Sequence, residues 1–343
     1  MDAWIWWIAA VAVGVFLVDL IVRVSLLTLV LPIFERRPPF NVRPSDVDPD
    51  AETVLIASTG GLSLAGSLDR PIDEPCGLIV FCPEFGGSHW SAPAYVGALQ
   101  EAGYAVLAFD FRNQGQSDHE PGYAPTHWVT DREVDDVLAA LRYAAHRDDL
   151  ADLPVGIFGV SRGANAALAA AARSPRVGSV VTEGAFSTDA MMIYYAYRWA
   201  ELYVPAWVAR LLPEWHIAGT MRLARRVSGL RHGVRYTILE RWLPRLAGRA
   251  ALLITGGRDS YVAPEIAERL RRRIGLSCRP VWIVPGAKHN QARPTSPDEY
   301  DRRVTNFFNE SLGVRPRESR ERQRFAPVAR YEADAHWQGV GLG

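Results

Sequence analysis

Ser161 lies in the run Gly159, Val160, Ser161, Arg162, Gly163, between an apolar stretch, Leu153 to Phe158, and an alanine-rich one, Ala164 to Ala172. The pattern reads as strand, sharp turn and helix, with a glycine on either side of a serine whose backbone must be strained. A helix starting there points free N–H groups at negative charge developing beside the serine. A serine hydroxyl is a weak nucleophile near neutrality, so it needs an imidazole to take its proton and a carboxylate to orient that imidazole. Two later segments offer these groups. The apolar run Ala250 to Thr255 is followed at once by Gly256, Gly257, Arg258 and Asp259, and Pro280 to Val284 is followed by Pro285, Gly286, Ala287, Lys288 and His289. Taken singly, Asp259 reads equally as a turn or cap residue and His289 as a loop histidine. Glu183, closing the run Val177 to Thr182, is a weaker alternative acid.

The elements that must hold these residues follow from hydrophobic patterning. Ala51 to Ser58 and Leu62 to Leu68, joined around Gly60 and Gly61, read as a hairpin. Gly77 to Cys82 and Tyr104 to Phe109 are continuously apolar, as expected of strands buried on both faces of a parallel sheet. Helices are predicted over Ala92 to Ala102, over Val129 to His146 with Val134, Val137, Leu138 and Leu141 at helical spacing, over Ala263 to Ile274, and over Pro297 to Leu312. Strand and helix in alternation predict an α/β fold, a doubly wound and mostly parallel sheet.

With these residues in view, positions 51 to 311 resemble the α/β-hydrolase superfamily. Gly159, Ser161 and Gly163 match its nucleophile elbow; Gly86 and Gly87 resemble its oxyanion loop; Asp110 to Ser117 resembles its D-x-R-G-x-G-x-S segment. Two positions depart from the pattern: Glu84 stands where many members carry histidine, and Asn113 replaces a glycine. The family order is serine, acid, histidine, so the resemblance implies a triad of Ser161, Asp259 and His289, with the backbone N–H groups of Phe85 and Arg162 as the oxyanion hole. It further implies a serine hydrolase acting on an ester or thioester, without metal or organic cofactor. A peptidase, an acyltransferase or a non-catalytic binding protein are the alternatives on the same fold.

Some sixty residues, about 184–247, exceed what the basic fold needs and are expected to form a helical cap. Met191, Tyr194, Tyr195, Trp199, Leu202 and Tyr203 recur at spacings of three and four. Met191, Tyr195 and Trp199, with His89 and Trp90 from the oxyanion side, are the candidate substrate pocket for a small or lipid-like acyl group. The Arg162 side chain reads either as a site for a substrate anion or as a surface salt bridge.

The first 37 residues are a different kind of sequence. Ala3 to Phe34 is almost continuously apolar and long enough to cross a bilayer core of about 30 Å. It is expected to be a single-pass anchor. Trp4, Trp6 and Trp7 suit an interfacial belt, and Asp19 and Arg23 are spaced to pair with each other. A buried core helix and a cleaved signal peptide are the competing readings; no basic segment precedes the run. Arg36, Arg37 and Arg43 after it, against Asp2 before it, place the larger part in the cytoplasm. Residues 38–50, with four prolines, are expected to be a linker, and 313–343 a poorly ordered tail. Across the 343 residues the formal net charge is zero, with neither a P-loop nor zinc-type Cys/His spacing, which argues against a nucleic-acid partner. Cys76, Cys82 and Cys278 do not make a disulfide framework.

Overall fold

A computed structural model describes residues 3–37 and 46–314. Most of the expected linker and all but two residues of the expected tail lie outside the described residues.

Eight strands form one sheet: β1 (Glu52–Ala57), β2 (Ser63–Asp69), β3 (Gly77–Cys82), β4 (Tyr104–Phe109), β5 (Val155–Val160), β6 (Val177–Glu183), β7 (Ala250–Gly256) and β8 (Trp282–Val284), in the order β1-β2-β4-β3-β5-β6-β7-β8. β2 is antiparallel to both β1 and β4; the remaining pairs are parallel. The edge strand β1 buries Val54 and Ile56 while Thr53 and Leu55 face out. Central β3, β4 and β5 are buried at every residue, because helices cover both faces. On one face α2 (Ala92–Glu101) and the closing helix pack over Ile79, Phe81, Phe158 and Val181. On the other, α3 (Asp131–Ala145) and α4 (Arg162–Ala171) pack over Leu78, Val80, Leu107 and Ile157. Thr130 and Glu133 close a reciprocal capping box at the start of α3.

Between β6 and β7 the chain makes three helices, α5 (Thr188–Ala200), α6 (Ala206–Ala209) and α7 (Glu214–His232), in place of one. After β7 come α8 (Pro264–Ile274), then β8, the short α9 (Ala292–Thr295) and the closing α10 (Pro297–Leu312).

The N-terminal α1 (Ala3–Phe34) runs unbroken for 32 residues. Trp4, Trp6 and Trp7 near its start are exposed, whereas Leu27, Leu31 and Phe34 near its end are buried. Phe34 stacks on Trp128 with ring centres 5.4 Å apart and meets the Tyr236 edge at 5.3 Å. Higher up, Asp19 pairs with Arg23 and also faces the α7 histidine: Asp19 Oδ1 lies 2.6 Å from His216 Nδ1, and Arg23 donates to the His216 carbonyl at 3.1 Å. The lower half of α1 is thus docked along α7.

Candidate active site

β5 ends at Val160, α4 begins at Arg162, and Ser161 between them has φ 50° and ψ −115°. That conformation is costly for a residue with a side chain and persists only where the surroundings enforce it. The flanking glycines are part of that enforcement. A Cβ on Gly163 would sit 2.2 Å from the Pro83 carbonyl oxygen, and one on Gly159 would sit 2.7 Å from Ala164 Cα. α4 therefore starts hard against the end of β3. The Ser161 N–H donates to the Glu183 carbonyl at 2.7 Å, tying the turn to β6.

The hydroxyl of Ser161 meets His289: Oγ to Nε2 is 2.9 Å. On the other side of the ring, His289 Nδ1 lies 2.7 Å from Asp259 Oδ2. The second oxygen of Asp259 accepts the N–H groups of Tyr261 and Val262 at 2.8 and 2.9 Å, so the carboxylate is held from both sides. These contacts close over long sequence separations because the loops after β7 and β8 are joined by backbone bonds, Gly257 N–H to Val284 O and Arg258 N–H to Ala287 O, each 2.8 Å. Gly184, at φ +69°, makes room for the imidazole: a Cβ there would lie 3.0 Å from His289 Cε1. Glu183 is elsewhere engaged. Its carboxylate accepts the Ala292 N–H at 2.8 Å and the Tyr300 hydroxyl at 2.9 Å, and burial pushes its pKa up to about 7.

Phe85 is buried, with the Arg162 and Arg37 guanidinium carbons 5.5 and 5.4 Å from its ring centre. The next amide, Gly86, donates to the Gln114 side chain at 2.9 Å, which fixes the turn. Among the described residues, the amides of Phe85 and Arg162 have no acceptor, as expected for a loop N–H and the first N–H of a helix. Glu84 is buried beneath this turn with Tyr95 on one oxygen at 3.3 Å, and burial raises its pKa. Burial thus works against the charged form of this carboxyl beneath the turn. Asn113 has φ 60°, a left-handed conformation that asparagine tolerates, and its side chain bonds the backbone of Glu120 and Tyr123. It can therefore do a glycine's work in this loop.

The Arg162 side chain fits neither reading made from the sequence alone. It is buried, 2.7 Å from Glu133 and 3.3 Å from the Tyr123 hydroxyl, so its charge is neutralised inside the protein.

The expected pocket residues separate into two groups. His89 departs from expectation: it is buried, and its amide and Nδ1 both lie on Asp110 Oδ1, at 2.6 and 2.9 Å. It secures the turn after β3 to the end of β4. Trp90 rests on the His89 ring at 4.3 Å. Met191 is fully buried among Phe34, Phe186 and Ile217, where it packs the cap. Tyr195 and Trp199, stacked at 5.9 Å, are different. Tyr195 is near enough to Asp259 and Tyr261 for their charges to bear on its hydroxyl, and Tyr261 lies 5.4 Å from the His289 ring. His127, missed in the sequence, stacks on Phe186 at 4.9 Å beside Tyr195; burial, then the positive charges of His289 and Arg162, lower its pKa to about 3. An isolated His-Trp pair in a loop gives no signal of this.

Residues 77–216 match a family described as the alpha/beta hydrolase fold. The Pyrococcus furiosus esterase Pf2001 is similar in structure with a TM-score of 0.60 at 20% identity, over 81% of this chain and 100% of that one. Est1E from Butyrivibrio proteoclasticus, bound to ferulic acid, is similar with a TM-score of 0.55 at 19% identity, over 76% and 100%. A putative phosphoribosyl transferase of Mycobacterium tuberculosis is 36% identical over 272 residues, 77% of this chain and 47% of that protein. The chain spans less than half the length of the curated relatives it matches.

Proposed function

From the family match over residues 77–216 and the fold shared with an esterase, we propose that the chain is an α/β hydrolase, a membrane-anchored serine hydrolase cleaving an ester or thioester. The observation that carries the reading is the hydrogen-bonded line Ser161 Oγ, His289, Asp259, at 2.9 and 2.7 Å. In it, His289 Nε2 takes the hydroxyl proton as Ser161 Oγ attacks the acyl carbonyl. Asp259 holds the Nδ1–H tautomer and faces the imidazolium that forms. The amides of Phe85 and Arg162 receive the oxyanion, His289 then protonates the leaving oxygen or sulfur, and a water deprotonated by His289 releases the acid. The esterase name of the structurally similar Pf2001 favours an ester over an amide.

What supports the anchor is that α1 is long and apolar enough to cross a bilayer, while its first half is bare. Its last turns supply Leu27, Leu31 and Phe34 to buried clusters with the cap, an interface that a cleaved leader would leave behind. A patch of Leu202, Tyr203, Trp207, Leu211 and Trp215 is exposed on the cap. Trp215 lies beside α1, its ring 5.4 Å from the Arg23 guanidinium, and the patch suits the same apolar phase.

The test is labelling of the full-length protein with a fluorophosphonate, alongside hydrolysis of p-nitrophenyl butyrate. Labelling is expected in the wild type and lost in Ser161→Ala and His289→Ala, with hydrolysis down by about 10⁴ or more. A folded wild type that takes no label would leave a binding protein on this fold.

A further inference from the structure

An apolar cavity of about 120 Å³ lies between the anchor and the cap. Leu26, Leu29, Val30 and Ile33 of α1 form one wall. Trp199 of α5, with Leu212 and Met221, forms much of the other. Thr220 and His216 are its polar members: the Thr220 hydroxyl donates to the His216 carbonyl at 3.0 Å and His216 Nδ1 faces Asp19, while His216 Nε2 has no partner among the described residues. The cavity is open on one side, where Leu29, Tyr203 and Leu212 are exposed, and that opening continues into the bare surface of α1 and the apolar patch of the cap. Trp199 on the cavity wall stacks on Tyr195 at 5.9 Å, and the Tyr195 hydroxyl feels the charge of Asp259. The cavity wall thus extends toward the candidate triad through these two rings.

We propose that this groove binds the acyl chain of a single-chain lipid or fatty-acyl ester, so that the anchor helix is itself a wall of the substrate site and the chain enters sideways from the membrane. Three features fix the occupant. Apart from His216 Nε2 the walls are almost wholly apolar, so a polar ligand would lose most of its hydrogen bonds to water without replacement. A dry cavity of this size takes a small apolar group, here a few methylenes of a chain whose remainder leaves by the open side. The mouth is continuous with surface suited to hydrocarbon, so a lipid reaches it without crossing water. This inference rests on the serine-hydrolase reading for its chemistry but not for its binding.

The experiment uses full-length protein in detergent micelles and has two arms. In the first, the Ser161→Ala protein is photolabelled with palmitic acid bearing a terminal diazirine. Label is expected on peptides containing Trp199 and buried Met221, competed by palmitate but not butyrate, and reduced severalfold by Leu29→Trp and by Leu212→Trp, which fill the groove from opposite walls. In the second, kcat/KM is measured for p-nitrophenyl palmitate and p-nitrophenyl butyrate. The ratio of the two is expected to fall at least tenfold in both groove variants, about the worth of two buried methylenes, and to stay at the wild-type value in Val15→Trp, on the bare part of α1. Label absent from those peptides, or a ratio unchanged in both groove variants, overturns the proposal. Saturable label in a wild-type protein that takes no fluorophosphonate upholds the groove and removes the hydrolase.

Discussion

Replacing Glu183 by glutamine isolates the cost of a carboxyl group buried behind the candidate triad. Its pKa rises from 4.5 to about 7, burial first, with the Ala292 N–H and the Tyr300 hydroxyl working against the rise. Between those two pH values the folded protein holds a proton that the unfolded chain has released, so stability falls as pH rises through this window and the loss is complete above it. At roughly 1.36 kcal/mol per pH unit, the span from 4.5 to about 7 is worth about 3 kcal/mol. Glutamine keeps an oxygen for the Ala292 N–H and cannot ionise. About 2.5 kcal/mol of this falls between pH 5 and pH 8, so the Tm of Glu183→Gln minus that of the wild type, followed by differential scanning fluorimetry, is expected to grow over that range by about 5–10 °C, taking roughly 2–4 °C per kcal/mol for a domain of this size. Taking the difference cancels groups common to both proteins. A difference that is flat with pH, or that grows toward acid, refutes the reasoning.

Asp259→Asn keeps an oxygen for the Tyr261 and Val262 amides but presents its NH₂ to His289 Nδ1. The ring is then held as the Nε2–H tautomer, unable to take the Ser161 proton, and kcat for p-nitrophenyl butyrate is expected to fall by about 10⁴ with KM little changed. Phe34→Ala removes a fully buried ring from between Trp128 and Tyr236 and is expected to cost about 3–5 kcal/mol, read as a lowered Tm of the full-length protein, with cleavage after residue 34 accelerated in limited proteolysis.

Much of the scaffold could be read from the chain. The runs Gly77–Cys82, Tyr104–Phe109 and Pro297–Leu312 are elements with the bounds their apolar patterns predict, because strands covered on both faces and a strongly amphipathic helix leave no ambiguity of period. Ser161, Asp259 and His289 were legible for a related reason: a parallel sheet collects the loops at the carboxyl ends of its strands, so position after a strand is position in space. Long-range partners of single polar residues were not legible. The spacing of Asp19 and Arg23 announces their pair, but nothing within α1 points to His216, 197 residues away. His89 reads as a pocket residue until Asp110, just after the next strand, is seen to take both its amide and its ring. Glu84 reads as a charge in the oxyanion loop, whereas burial favours its neutral form, and burial is a property of the folded whole.

The docking of α1 also bears on how the protein is to be handled. Phe34, Leu31 and Leu27 belong to the interior, since they are buried in clusters with the cap and, for Phe34, against Trp128. Trimming the gene to the hydrolase fold alone would uncover Trp128, Tyr236 and the α7 face in one step, and the product would be a fragment with a raw surface prone to clumping. A tractable soluble version would keep the helix from about residue 19 onward, so that Asp19 and Arg23 still meet His216, and replace the bare turns before it. The bare and the docked parts of this one helix are divided along its length, and a cut between them respects both.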